Sequence, residues 1–191
     1  MKNKLPQNKK AIVWLCGGHF INDIYTGVLN PIMPFIAAKI GITMAIATII
    51  LTVSHIFSSL LQPLFGYFAD NIVKRSFIFW GLILSSIFIP LSALAHNPFI
   101  LVLFIIFGSI GSSLFHPQAL GFVSKFADKE NTGKAMAVFV AMGTLGYSFG
   151  PIISSAITQF LGMPRMPLMT ILGILWAFLM FAFVPKLSLS E

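Results

Sequence analysis

Asp23 is an acid in a stretch that otherwise suits the inside of a lipid bilayer. From Ala11 to Ala38 there is no Lys or Arg, and Asp23 is the only carboxylate. An Asp at the centre of a membrane helix costs about 2.5–3.5 kcal/mol on insertion scales, so such a group normally faces a partner or a water-filled cavity. Its neighbours sharpen the point. His19, Asn22 and Asp23 fall at i, i+3 and i+4, which puts all three on one face of a helix. A polar cluster with two titratable members reads as part of a proton or substrate path. Histidine titrates near neutral pH, so His19 can relay protons to Asp23 one turn away, or it can hold the acid in place without changing charge. Thr26 and Asn30 continue the same stripe. A second stripe combines Thr48, Thr52, His55, Ser59 and Gln62, and a third runs Ser109, Ser112, Ser113 and His116 up to Pro117. Proline leaves a helix carbonyl without its usual donor, which a histidine or water can supply. Asp23, His19, Asn22 and His116 are therefore the expected proton-coupling or substrate-path residues.

Such residues need elements that hold them in the membrane. Only 9% of the 191 residues are charged and 57% are hydrophobic, too little charge to cover the surface of a soluble domain, so the chain reads as a polytopic membrane protein. Six stretches approach the roughly 20 residues that a helix needs to cross about 30 Å of hydrocarbon. They lie near Ala11–Ile36, Ala45–Ala69, Phe77–Ala95, Phe99–Phe122, Ala135–Phe160 and Leu168–Val184. A backbone in lipid must satisfy its own hydrogen bonds, so these spans are expected as helices.

Orientation follows from the basic residues. With the N-terminus inside, Lys2, Lys4, Lys9, Lys10, Lys74, Arg75, Lys125, Lys129, Lys134 and Lys186 are cytoplasmic, and only Lys39 and Arg165 lie outside. Both termini are thus expected in the cytoplasm of a multi-pass inner-membrane protein. Residues 1–10 would form a basic N-terminus, 11–184 a six-helix membrane domain and 185–191 a cytoplasmic tail. The net charge of +7 comes from basic residues between apolar segments and is no nucleic-acid signature. Cys16, the single cysteine, can form no intrachain disulfide and reads as a packing residue. No cleavable signal peptide is evident, because the apolar run after the basic start is too long and carries Asp23.

Polar stripes mark helices 1, 2 and 4 as cavity-lining, whereas helices 3 and 6 carry scattered Ser, Thr and Trp and are expected to face lipid. In helix 5, Gly143, Gly146, Gly150 and Ser154 form a small-residue face, followed at Gly150 by Pro151, and such faces let membrane helices pack closely. Phosphate-cradling loops, metal-ligand spacings and arranged nucleophiles do not stand out, so neither an enzyme nor a cofactor or metal is expected.

Four segments resemble the major facilitator superfamily, and within it efflux transporters of the fosmidomycin-resistance type. They are His19 to Asp23; Ser58 to Asp70 with its Gln62-Pro63 and Gly66; Gly108 to Pro117 with Phe115-His116-Pro117; and Lys134 through Gly146 to Gly150-Pro151. They stand in the expected order and cover most of the chain. The resemblance implies an all-α membrane fold, one six-helix half made of 3+3 inverted repeats. It implies proton-coupled efflux of a small molecule or drug, such as a fosmidomycin-like compound, by alternating access. Thr26, His55, Gln62 and Gln118 would line the cavity. Gly66, Asp70, Lys74 and Arg75 match the loop signature that steadies one conformational state, and Gly146, Gly150 and Pro151 match the helix-5 packing and bending element. Departures also occur: Asn71 and Val73 replace an Arg and a Gly of the loop signature, and Gln118 stands where this group commonly has a Glu. Only one half is present, so either a second six-helix half or self-association completes it, or the chain is a non-transporting fragment or accessory subunit.

Overall fold

The computed structural model describes residues 8–71 and 75–186, without the side chains of residues 69–71. It contains six long helices: α1 (Lys9–Ile40), α2 (Met44–Asn71), α3 (Arg75–Leu91), α4 (Pro98–Phe126), α5 (Thr132–Phe160) and α6 (Thr170–Phe183). No strand occurs among the described residues.

α1 and α4 run a few residues past their apolar stretches, and side-chain caps mark where they start. The Asn8 side chain accepts from the Ala11 amide at 3.0 Å, and Gly41 closes α1 in the left-handed conformation at φ 74°. Asn97 caps α4 in the same way, accepting from Ile100 at 2.9 Å, with Pro98 at the first helical position. The sixth span starts as a 3-10 segment, Met163–Met169, where Pro164 and Pro167 remove backbone donors before α6 becomes regular.

By length and composition, five helical segments are apolar enough to cross a membrane: Met44–Phe68, Arg75–Leu94, Pro98–Phe126, Thr132–Phe160 and Met163–Phe183. α1 is long enough but falls outside that group, because polar residues such as His19, Asn22, Asp23, Thr26 and Asn30 interrupt its apolar character.

α1 runs through the middle of the packing. It lies most extensively along α5 and also touches α3, α4 and α6, while α3 packs on α4 and α6, and α2 on α4. The α1–α5 seam is a backbone contact. A Cβ on Gly146 would collide with the Phe20 carbonyl, and one on Gly143 would run into the His19 ring. Pro151, lacking an N–H, cannot bond the Tyr147 carbonyl one turn earlier, and that carbonyl rests against Gly27 of α1. The small-residue face of α5, from Gly143 through Gly146 and Gly150 to Ser154, is buried throughout.

One expectation is corrected. α3 does not face lipid along its length: 56% of its apolar window is buried, against 11% for α2. Ser85 and Ser86 lie inside because each hydroxyl donates to a carbonyl three residues back, Leu82 at 3.1 Å and Ile83 at 3.0 Å, so neither needs water. α6 buries Gly173, Ala177 and Met180 and exposes Ile171, Leu175 and Phe178.

Several helix ends that carry basic residues meet at one end of the bundle. The Asn8 amide donates to the Phe126 carbonyl at 3.3 Å, joining the start of α1 to the end of α4. Arg75, at the start of α3, donates to the Val184 carbonyl at 2.7 Å, just past α6. Lys39, at the far end of α1, instead donates to the Ala93 carbonyl at 3.2 Å.

Candidate functional site

Midway along α1, the carboxylate of Asp23 sits between two imidazoles. His116 Nε2 on α4 is 3.0 Å from Asp23 Oδ1, and His19 Nε2 on the same helix as Asp23 is 3.2 Å from Oδ2. The other nitrogen of each ring meets a main-chain carbonyl. His19 Nδ1 donates to Phe139 of α5 at 2.7 Å, and His116 Nδ1 donates to Ser112 at 2.7 Å. A carbonyl can only accept, so both Nδ1 atoms carry hydrogen and both rings are fixed in orientation. His116 therefore does not use the Ser113 carbonyl that Pro117 leaves without a helical donor; it uses the neighbouring one. The His19 ring stacks on Phe139 with centroids 4.1 Å apart and meets the His116 ring edge-on at 4.9 Å.

Asn22, fully buried, holds the remaining side of the acid. Its Nδ2 donates to Asp23 Oδ1 at 3.0 Å and to Ser112 Oγ at 3.1 Å, and its Oδ1 accepts from Ser85 Oγ at 2.8 Å. One amide thus ties α1 to α3 and α4. Thr26 turns back to donate to the Asp23 carbonyl at 3.0 Å. The trio is largely enclosed but open on the α4 side: 7% of the His19 side chain, 15% of Asp23 and 25% of His116 is exposed.

His19, Asn22, Asp23 and His116 are thus brought into one network, although 93 residues separate Asp23 from His116. Ser85 and Ser112 belong to the network as well. Ser112 was legible as part of the α4 stripe, whereas Ser85 carried no signal because nothing in the periodicity of α3 distinguishes it. Other residues stand apart. Thr48, Thr52, His55, Ser59 and Gln62 form an exposed stripe on α2 that does not join the trio. Ser58 connects α2 to α4 instead, sharing a 2.7 Å hydrogen bond with Ser113. Gln118 is buried, and neither its amide nitrogen nor its oxygen has a hydrogen-bond partner among the described residues.

At the loop signature, Lys74 and the Asp70 side chain lie outside the described residues. Gly66 is in α2 with Pro117 as its nearest neighbour. Arg75 stacks its guanidinium 4.2 Å over the Phe181 ring besides bonding Val184, so it is engaged within this unit.

Comparison with known proteins agrees with this architecture. The sequence profile of the Major Facilitator Superfamily matches residues 15–189. The chain is 27% identical over 188 residues to the riboflavin transporter RibZ of Clostridioides difficile (strain 630), covering 98% of this chain and 41% of that protein. It is 31% identical over 140 residues to the fosmidomycin resistance protein of Escherichia coli (strain K12), covering 73% of this chain and 34% of that protein. The chain therefore spans less than half the length of these relatives. Among solved structures, a POT family transporter in complex with 5-aminolevulinic acid superposes with a TM-score of 0.77 at 19% identity, over 92% of this chain and 40% of that one. The proton:xylose symporter XylE bound to 6-bromo-6-deoxy-D-glucose gives 0.63 at 16% identity, over 93% and 42%. At such identities these likenesses concern the fold alone.

Proposed function

From the premise that this chain belongs to the major facilitator superfamily and is a multi-pass membrane protein, we propose that it is a six-helix half of a proton-coupled transporter. Its work is efflux of a small molecule, of which a fosmidomycin-like compound is the first to test. Family likeness points to transport rather than catalysis. In this reading the helices form 3+3 inverted repeats, and residues 11–184 form the membrane domain of an inner-membrane protein. The short terminal segments, 1–10 and 185–191, are cytoplasmic. A second six-helix half, or a second copy, supplies the opposite wall of the cavity.

The observation that carries this reading is the pair of contacts on Asp23. Both histidines spend their Nδ1 hydrogen on a carbonyl, so each Nε2–carboxylate contact needs its own proton. With two protons the trio is fully paired and carries one net positive charge. With one fewer, a nitrogen lone pair faces a carboxylate oxygen at about the same distance, and that contact repels. When the missing proton is that of the His116 contact, α4 is pushed from α1 instead of being held to it. Of the two contacts only the one to His116 joins helices, and interhelical hydrogen bonds in bilayers average about 0.6 kcal/mol, against the roughly 2.5–3.5 kcal/mol that the acid costs.

In the proposed cycle the exposed side of His116 takes up the proton, Asp23 shares it, and release toward the cytoplasm accompanies outward movement of substrate. Gln118 carries no exchangeable charge, so the exchange falls to Asp23 and the histidines. Reconstitution in proteoliposomes tests this, using the chain alone and with any six-helix polypeptide encoded beside it. A pH gradient is imposed, and fosmidomycin and proton movement are followed. Asp23→Asn is expected to abolish gradient-driven movement, and unchanged movement in that variant overturns the coupling role.

A further inference from the structure

The same three side chains form a preorganised metal site, and we propose that they bind a divalent transition-metal ion of the zinc type. His19 Nε2, His116 Nε2 and an Asp23 oxygen all lie within 4.8 Å of one another. Two imidazoles and a carboxylate are a borderline donor set that suits zinc, cobalt or nickel over the all-oxygen coordination of magnesium or calcium. Sequence spacing hides the site, since its third ligand comes from another helix.

The second observation lies behind the ligands. A metal-binding histidine characteristically donates its other ring N–H to a carbonyl or carboxylate, which fixes its orientation and aims its lone pair at the ion. Here both do so, His19 to Phe139 and His116 to Ser112, each at 2.7 Å. Asn22 Nδ2, donating to Asp23 Oδ1 at 3.0 Å, steadies the carboxylate in the same manner. The spacing also fits. Zinc bonds of about 2.0–2.2 Å in tetrahedral geometry put ligand atoms roughly 3.3 Å apart. The two histidine–carboxylate separations, 3.0 Å to Oδ1 and 3.2 Å to Oδ2, lie within a few tenths of an ångström of that spacing, and all three ligand atoms lie within 4.8 Å of one another. A quarter of the His116 side chain is exposed, which leaves an entry for the ion. An ion seated there fastens α1 to α4, and through the Phe139 carbonyl to α5, and so holds the unit in one state. This inference rests on ligand geometry and stands whether or not the trio exchanges protons.

The test measures binding, not transport. The purified full chain in detergent is titrated with Co2+, following its visible d–d absorption, and then with Zn2+ in competition with a chromogenic chelator. The variants are Asp23→Asn, His116→Gln and, as a control, His55→Gln with His96→Gln, whose histidines are exposed. One equivalent is expected for the native chain and the control. Each trio variant should lose at least the roughly 10–100-fold in affinity that outer partners alone can contribute. X-ray absorption of the zinc-loaded native chain should reveal a nitrogen and oxygen shell with two imidazoles, a readout that does not depend on a variant folding. Absence of saturable binding, equal binding by the trio variants, loss of binding in the control, or a shell without imidazole each overturns the proposal.

Discussion

α1 and α2 lie in the same bundle and invert the relation between polarity and burial expected of a soluble protein. α1 carries the acid, a histidine and two asparagines, yet half of its 32 residues are buried and it touches every other long helix. α2 is apolar enough to qualify as a membrane span, yet among its described side chains only Ala47 and Ser54 are buried. Hydrocarbon accounts for the inversion. Lipid tails solvate leucine and isoleucine as well as a protein interior does, so burying apolar side chains brings no gain. What lipid cannot solvate is a carboxylate or an open amide, so those groups take the centre and the helix that carries them follows.

The strongest way to break the comparison is to remove the charge that put α1 in the middle. Asp23→Asn keeps the volume, removes the charge and replaces one of the two acceptor oxygens with an NH2 donor, so only one of the two histidine contacts can keep an acceptor. The proposed proton-driven movement across vesicles holding the reconstituted chain should fall to the level of protein-free vesicles, while the helical circular dichroism of the chain is retained. The next largest effect is on the seam. Gly146→Val places a side chain against the Phe20 carbonyl, and main chain cannot yield as a flexible side chain can. A loss of about 3 kcal/mol is expected, the upper end for overpacking, measured by unfolding in mixed detergent. A loss below 1 kcal/mol would mean that α1 and α5 do not approach as described. Asn22→Ala comes third. It removes three hydrogen bonds of about 0.6 kcal/mol each, so roughly 2 kcal/mol. Ser85→Ala, which removes one of the three, should cost correspondingly less in the same assay.

Helix existence and the acid were legible in the sequence because both are local signals: length, hydropathy and one carboxylate out of place. The pairing of Asp23 with His116 was not legible, since neither residue's own helix says which face meets which. The status of α3 was misread for a similar reason. Its serines looked scattered, but the single hydroxyl hydrogen of Ser85 is shared between the Leu82 carbonyl of its own turn and Asn22 Oδ1 across the interface. The α2 stripe was read as cavity-lining, and its His55 and Gln62 turn away from this unit's interior; what such a face meets is decided by partners outside its own helix.

The smallest effect probes that outward face. Leu60 of α2 is 70% exposed, with Ile56 one turn away at 55%. In the chain alone, Leu60→Ala should change stability by no more than about 0.5 kcal/mol, since lipid or detergent covers either residue equally. If the proposed second half packs on α2, the same substitution removes well-packed contacts in the assembly, and the loss should exceed 1 kcal/mol only when that partner is co-reconstituted. A difference between the two measurements assigns α2 to a protein interface. Equal and small values assign it to lipid, and the proposed second half must then pack on another helix, of which α5 is the next most exposed.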